Sequence, residues 1–457
     1  MYYNFTTTPF ERNVQSFLFK PAVFLLLTFH FSAFAQTPNL KFIHIDKKQG
    51  LSNSTSGAIY QDSRGFIWVG TNNGLNRYDG LKMVTYKNDP NDATSLSDNY
   101  IRYIFEDSKH VLWVGTTYGL NKFDQYTNTF VQYKLDKSNP NSISNNTVNC
   151  ILEDSKKNFW VATTGGLDIF DRQKNTFKRY VHDKNNPNSI SSDVLGGILE
   201  DSNKNFWVCT ENGLNLFDPV KGTFKLFYYS KDKGLGNAVR DIQEDKSGHL
   251  WLGTNDGGVL KFNIGDHQFT QYKHIEGNIH SLGSDIVTSL CIDKKGNIWA
   301  GCVNGGLNFF DVKSNSFVNY RHDPANANSL SQKSVGAIFE DRQSNLWVGT
   351  HRGGVNVYMP NAQRFDLYRE GPDKGALGYN DVKTFYEDKQ GIVWVGTDGG
   401  GLDRFDRKTN RFVSYTHDPR QPNSLSSDAV LDIVEDKLGN LWIGTWNGGL
   451  NLMNRET

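Results

Sequence analysis

The chain has 457 residues, and its 49 lysines and arginines balance 49 aspartates and glutamates, so the formal net charge is zero. That length exceeds one ordinary domain. A balanced charge without a basic stripe argues against a duplex nucleic-acid binder, so no nucleic-acid partner is expected.

The N-terminus differs from everything that follows. Arg12 and Lys20 precede the apolar run PAVFLLLTFHFSAF at residues 21–34, which ends in Ala33-Phe34-Ala35. A positive flank, a short apolar core and a small-x-small site predict a secretory signal peptide at 1–35, cleaved after Ala35. The run is short for a bilayer span, which needs about 20 residues. The expectation is a periplasmic or secreted protein with no membrane span once the signal is removed.

From residue 50 onward one pattern recurs. Its anchors are Trp68, Trp113, Trp160, Trp207, Trp251, Trp299, Trp347, Trp394 and Trp442, spaced 44 to 48 residues apart. An aspartate stands six residues before each, from Asp62 to Asp436. A period of about 40–50 residues with four strand-like runs per unit predicts an all-β fold, a β-propeller of four-stranded antiparallel blades.

The unit that begins near Ser331 shows the grammar. Val335–Glu340 (VGAIFE) alternates and reads as the innermost strand. The turn that follows opens on Asp341, whose carboxylate can accept the backbone N–H groups behind it. Five of the nine copies place glycine three residues after the aspartate, at Gly65, Gly248, Gly296, Gly391 and Gly439, which predicts a positive φ there. Leu346–Thr350 (LWVGT) is the second strand; its tryptophan fills the space between blades, and Gly349 permits close packing. Gly353-Gly354 turns into the third strand, Val355–Tyr358, and FDLY at 365–368 reads as the outer strand, repeated in other units as Phe-x-x-Tyr runs such as Phe412 to Tyr415. Long Pro/Asn/Ser-rich loops such as 417–428 join the blades.

Nine anchors exceed the usual four to eight blades of a ring. The segment at 370–381 (EGPDKGALGYND) lacks the D-P-x-N-P-N-S pattern of the other joints, so a boundary is expected near residue 370. The expected division is a signal peptide at 1–35, a seven-bladed propeller at 36–370 and two blades of an incomplete second propeller at 371–457. One nine-bladed ring is the alternative. The lone strand Phe42–Ile45 and the run at 365–368 (FDLY) are the two candidates for closing strands.

Cys150, Cys209, Cys291 and Cys302 fall inside blades, and Cys209 and Cys302 replace the glycine and threonine of the repeat. They read as buried free thiols. No C-x-x-C pair or histidine cluster suggests a metal, and no phosphate-binding glycine loop leads into a helix. No cofactor is expected.

The repeated E-D-x-x-G-x-L-W-x-G-T-x-x-G-G-L-N-x-F-D pattern, seen as EDKQGIVWVGTDGGGLDRFD at 387–406 and EDSKHVLWVGTTYGLNKFD at 106–124, resembles the two-component regulator propeller repeat. The opening GLSNSTSGAIYQDSRGFIWVGTNNGLNRYDG at 50–80 is similar to the start of the periplasmic sensor region of hybrid two-component histidine kinases. The resemblance covers residues 40–457. It implies two seven-bladed propellers, a β-sandwich, a membrane helix and a cytoplasmic kinase, often in control of glycan uptake, and dimerisation. This sequence carries only the first part of that plan and resembles a truncated sensor.

In a propeller the second turn of each blade and the inter-blade loops share one face. The residues between G-T and G-L vary most between copies: Asn72, Tyr118, Glu211, Asp256, Asn304, His351 and Arg352, with Asp398 and Trp446 in the last two units. These are the candidate ligand-binding residues, and aromatic and planar hydrogen-bonding groups suit an oligosaccharide. Each is also what a solvated turn would carry. No catalytic residues are expected. A glycan hydrolase would need two converging carboxylates, for which Glu211 and Asp256 are the available pair. Three readings stand: a sensor propeller for glycan-derived signals, a propeller that binds a protein partner or itself, and a glycan-active hydrolase or lyase.

Overall fold

The computed structural model describes residues 40–230, 237–360, 367–371, 375–407 and 409–455. The signal-peptide expectation at 1–35 lies outside the described residues, as do the first two residues of the run at 365–368. Among the described residues the chain is almost wholly strand and turn, with one 3-10 turn at Lys47–Gln49. No described helix is long and apolar enough to cross a membrane.

Among the described residues, nine antiparallel sheets follow one another, eight of four strands and one of three. We number them blades 1 to 9 by their anchor tryptophans, Trp68 to Trp442. In blade 2 the strands are Ile101–Glu106, Leu112–Thr116, Gly119–Asp124 and Thr129–Tyr133, hydrogen-bonded in chain order. The strand limits read from the repeat hold in blade 7, at Val335–Glu340, Leu346–Thr350 and Val355–Tyr358. Its fourth strand is Phe42–Ile45, which pairs antiparallel with Val355–Tyr358, Phe42 opposite Tyr358 and Ile45 opposite Val355. The first described strand therefore completes the seventh sheet.

The inner strands of blades 1 to 7 are neighbours in sequence, and that of blade 7 lies beside that of blade 1. Side chains repeat this cycle. Trp68 meets Phe123 of blade 2 at 5.3 Å between ring centroids, and Trp113 meets Phe159 of blade 3 at 4.6 Å. Trp347 meets Tyr78 of blade 1 at 6.3 Å, edge to face. The acidic residue that ends most inner strands is a brace: Glu106 takes the Ser63 backbone N–H of the preceding blade at 2.7 Å, and Glu153 takes that of Ser108 at 2.7 Å. At the junction of blades 7 and 1 Gln61 does the same, accepting from the Arg342 N–H at 2.8 Å.

Within each blade the predicted turn is present. Asp341 Oδ1 accepts the backbone N–H groups of Gln343 and Asn345, and Oδ2 accepts the indole N–H of Trp347. The five glycines all have positive φ, and the other four copies hold His110, Lys157, Lys204 and Ser344 at φ between 60° and 69°. The glycine of W-x-G-T faces the next blade: a Cβ on Gly70 would come within 2.6 Å of Ile101, and one on Gly253 within 2.8 Å of Val287.

All four cysteines are free thiols; three are buried and Cys291 is partly so. Burial pushes Cys150 up to about 11 and Cys302 to about 12, which leaves both unreactive at neutral pH. Cys302 replaces the blade threonine in kind, accepting from Asn308 Nδ2 at 3.3 Å.

Candidate functional site

The seven inner strands share an irregularity. Each ladder shifts register near its start, leaving out Gly57, Arg102, Asn149, Gly196 with Gly197, Arg240, Thr288 and Gly336. A β-bulge leaves its extra residue unpaired and re-aims its side chain. Here these residues line one cavity of about 470 Å³, enclosed by the ring of inner strands. The volume is within the range of small-molecule sites.

Arg102 is oriented by its Nε, which donates to Asn149 Oδ1 at 2.7 Å; Asn149 Nδ2 donates on to the Leu195 carbonyl at 2.7 Å. Three successive blades are thus linked across the lining. Thr288 donates its hydroxyl to the Val335 carbonyl at 2.6 Å. Burial first, with the like charge of Arg240 behind it, lowers the Arg102 pKa. Tyr100 stands beside Arg102, guanidinium carbon to ring centroid 6.0 Å. Asp241 is also in the lining, but its oxygens are occupied by the backbone N–H groups of Ile242 at 2.8 Å and Leu290 of the next blade at 2.7 Å. Burial pushes its carboxyl up to about 6.

Of the turn residues singled out from sequence, Glu211 and His351 line this cavity. Asn72, Tyr118, Asp256, Asn304 and Arg352 are not in its lining. The residue directly after the blade threonine faces the cavity in five blades, at Thr164, Glu211, Asn255, Val303 and His351. The residue after that turns away, which removes Tyr118, Asp256, Asn304 and Arg352. Tyr118 instead lies under Lys134, 5.2 Å from Nζ to ring centroid. Asn304 exchanges hydrogen bonds with the Ser334 hydroxyl, and the Arg352 N–H donates to Thr55 Oγ1. Glu211 and Asp256 therefore do not converge on the cavity as a catalytic pair would. In the last two blades, Asp398 pairs with Lys383 at 3.2 Å, and Trp446 is exposed.

The arginines were missed in the sequence. The signal was a column eleven residues before each tryptophan, where Gly57, Arg102, Asn149, Gly196, Arg240, Thr288 and Gly336 stand. Among the described residues no group of histidines, cysteines and acids could hold a metal ion.

The family model described as "Two component regulator propeller" matches residues 50–73, 95–118, 142–165, 233–256, 281–304, 329–352, 376–399 and 424–447. The unit around Trp207 is not matched, although its blade is complete. Among solved structures, the extracellular domain of the putative hybrid two component system BT3049 from B. thetaiotaomicron superposes with a TM-score of 0.70. It is 29% identical over 91% of this chain and 54% of that domain. The extracellular domain of BT4673 from the same organism gives 0.57 at 22% identity, covering 91% of this chain and 59% of that one. Virginiamycin B lyase from Staphylococcus aureus gives 0.52 at 13% identity over 70% of this chain and 98% of the lyase, a likeness of fold alone. A curated relative, "Histidine kinase P4" of Formosa agariphila, is 42% identical over 78 residues, 16% of this chain and 6% of the kinase. The chain thus spans a little over half of the solved sensor domains and a small part of the kinase.

Proposed function

This chain is built from two-component regulator propeller repeats, and from that premise we propose that it is an exported recognition propeller that senses glycan-derived signals. The observation that carries the reading is the cavity: a ring of bulged residues delivers guanidinium, amide and hydroxyl groups to one space of about 470 Å³. The likeness to an extracellular two-component sensor domain over 91% of the chain supports the sensing role. The apolar run at 21–34 supports export to the periplasm or beyond.

Residues 36–370 form the recognition ring in this reading, and 371–457 begin a second propeller. Phe385 is 72% exposed, whereas its counterparts in the ring, such as Ile151 at 1%, are buried against a neighbouring blade. Leu450, 67% exposed, stands where Leu75 and Leu120 are fully buried. The two outer faces of blades 8 and 9 are shaped for neighbours of the same kind.

The test is a thermal-shift screen of the purified chain against a panel of plant, algal and host oligosaccharides. A saturable rise in melting temperature, abolished when the cavity is filled by Gly57→Leu, is the expected result. A ligand whose effect is untouched by that substitution would move recognition away from the cavity. A panel without a hit, together with co-purification of a stoichiometric protein, would favour the partner-binding reading.

A further inference from the structure

We infer that the cavity of the ring is built for an acidic saccharide, one whose carboxylate or sulfate is received between Arg102 and Arg240. The inference rests on the glycan-sensing reading above and adds the charge of the ligand.

Arg102 and Arg240 are bulge residues two and five of the ring, and both line the cavity. Among the described residues neither has a carboxylate at ion-pair distance. Arg102 uses only Nε on protein, so its two terminal nitrogens are left over while Asn149 holds the plane of the group. A guanidinium held in plane with terminal N–H groups to spare is the donor set that receives a carboxylate or sulfate in bidentate fashion. Arg102 is partly buried and Arg240 is exposed at the cavity. The like charge of Arg240 acts on Arg102, and an anion between them relieves that repulsion.

Among the described residues, neither acid in the lining forms an ion pair with the two arginines. Asp241 is committed to the Ile242 and Leu290 amides across two blades, and Glu211 is exposed on a second turn. The remaining lining suits a sugar: Tyr100 offers a ring face, and Asn255, Ser289 and His351 offer polar groups. At Gly57 an added Cβ would meet nothing within 4 Å, so this side of the cavity is open space rather than packed backbone.

The experiment is isothermal titration calorimetry of the purified chain with digalacturonate, galactose 6-sulfate and uncharged galactobiose. Circular dichroism checks that each variant is folded. Expected is binding of at least one acid, about tenfold or more weaker binding of galactobiose, and a tenfold to hundredfold loss for Arg102→Gln and for Arg240→Gln, in the range for charge-assisted hydrogen bonds. Arg240→Gln removes no side-chain hydrogen bond among the described residues, so it remains informative if Arg102→Gln disturbs Asn149. Preference between the two acids identifies carboxylate or sulfate as the recognised group. Acid binding unchanged in both variants would put the anion site elsewhere and overturn the inference, with sensing intact. Binding of galactobiose alone would overturn the acidic class and keep the glycan reading. No binding of either acid at millimolar concentration would also overturn it, whatever the oligosaccharide panel returns.

Discussion

The carboxylate of Asp341 holds Trp347 by its indole nitrogen at 2.8 Å while gripping two backbone amides of the turn between them. The same bond joins Asp62 to Trp68 at 2.9 Å and Asp436 to Trp442 at 3.1 Å, and it recurs in every blade. One residue thus fixes both the turn that joins the first two strands and the rotamer of the side chain that fills the gap between blades. In Asp436, hydrogen bonds from Asn440 and then Trp442 hold the carboxyl below the usual carboxylate range. The repeat keeps the aspartate because a buried tryptophan N–H without an acceptor is costly.

Asp341→Ala is therefore expected to destabilise the ring by about 3 kcal/mol, the sum of one charge-assisted bond and two freed turn amides. Asp341→Asn, which keeps an acceptor oxygen, should lose less. Urea denaturation of the two variants checks the order, and equal losses would mean that the charge itself carries the effect.

Four turns place a residue with a side chain where five others use glycine. Lys204, at φ 69°, is the simplest to change, because its ammonium makes only a long contact with Glu200 at 3.9 Å. Left-handed backbone costs a non-glycine residue about 1–2 kcal/mol, partly offset by the unfolded-state entropy of glycine. Lys204→Gly should raise stability by about 0.5–1 kcal/mol, read as a shift in denaturation midpoint at constant slope.

The glycine of W-x-G-T gives an internal comparison. A Cβ on Gly70 would press on Ile101 at 2.6 Å, whereas one on Gly444 would find only the Asp432 carbonyl at 3.9 Å. Gly70→Ala is expected to cost about 1–3 kcal/mol through overpacking, and Gly444→Ala to be nearly neutral. Blades 3 and 4 carry Ala162 and Cys209 at this position, so the cost depends on what the next blade presents. Equal effects at the two sites would show that blade contact is not what the glycine serves.

Asp168 takes the place that asparagine holds in most blades, and burial pushes its carboxyl up to about 7. Hydrogen bonds from the Ser144 amide and hydroxyl offset this only in part. The folded state binds this proton more tightly than the unfolded chain, so stability is lost as pH rises from about 4 to about 7 and stays low above that. Asp168→Asn should remove the loss: little change at pH 4, and a gain of up to about 4 kcal/mol at pH 8, from 1.36 kcal/mol per unit. Melting temperatures across that range would show the two proteins diverging upward in pH.

Much of the fold was legible because the tryptophan, aspartate and glycine of each unit are tied to one another at fixed spacing. Those positions answer to backbone geometry inside a single blade. The strand limits of blade 7 and the positive φ after each turn followed from them. The closing strand is narrowed by sequence only to two candidates. The run at 365–368 reads as the outer strand, yet Phe42–Ile45 is the one that pairs; it is four residues with no repeat signature, and its partner lies more than 300 residues away. The site was legible only at Glu211 and His351. Variation between copies marked the second turn, but only the residue directly after Thr163, Thr210, Thr254, Cys302 and Thr350 lines the cavity, and Asn72 at the same position does not. Arg102 and Arg240 escaped notice because a bulge, not the strand alternation, aims them inward; the pattern of period two assigns a side to paired residues only.

The account rests on residues 36–370 being a self-contained ring around the recognition cavity. Thermal unfolding of residues 36–370 alongside 36–457 tests this directly. The account predicts that the shorter chain unfolds in one cooperative transition, at a temperature no lower than the ring transition of the longer one. A shorter chain that aggregates, while the longer melts as a single unit, would contradict it and require all nine blades to stand together.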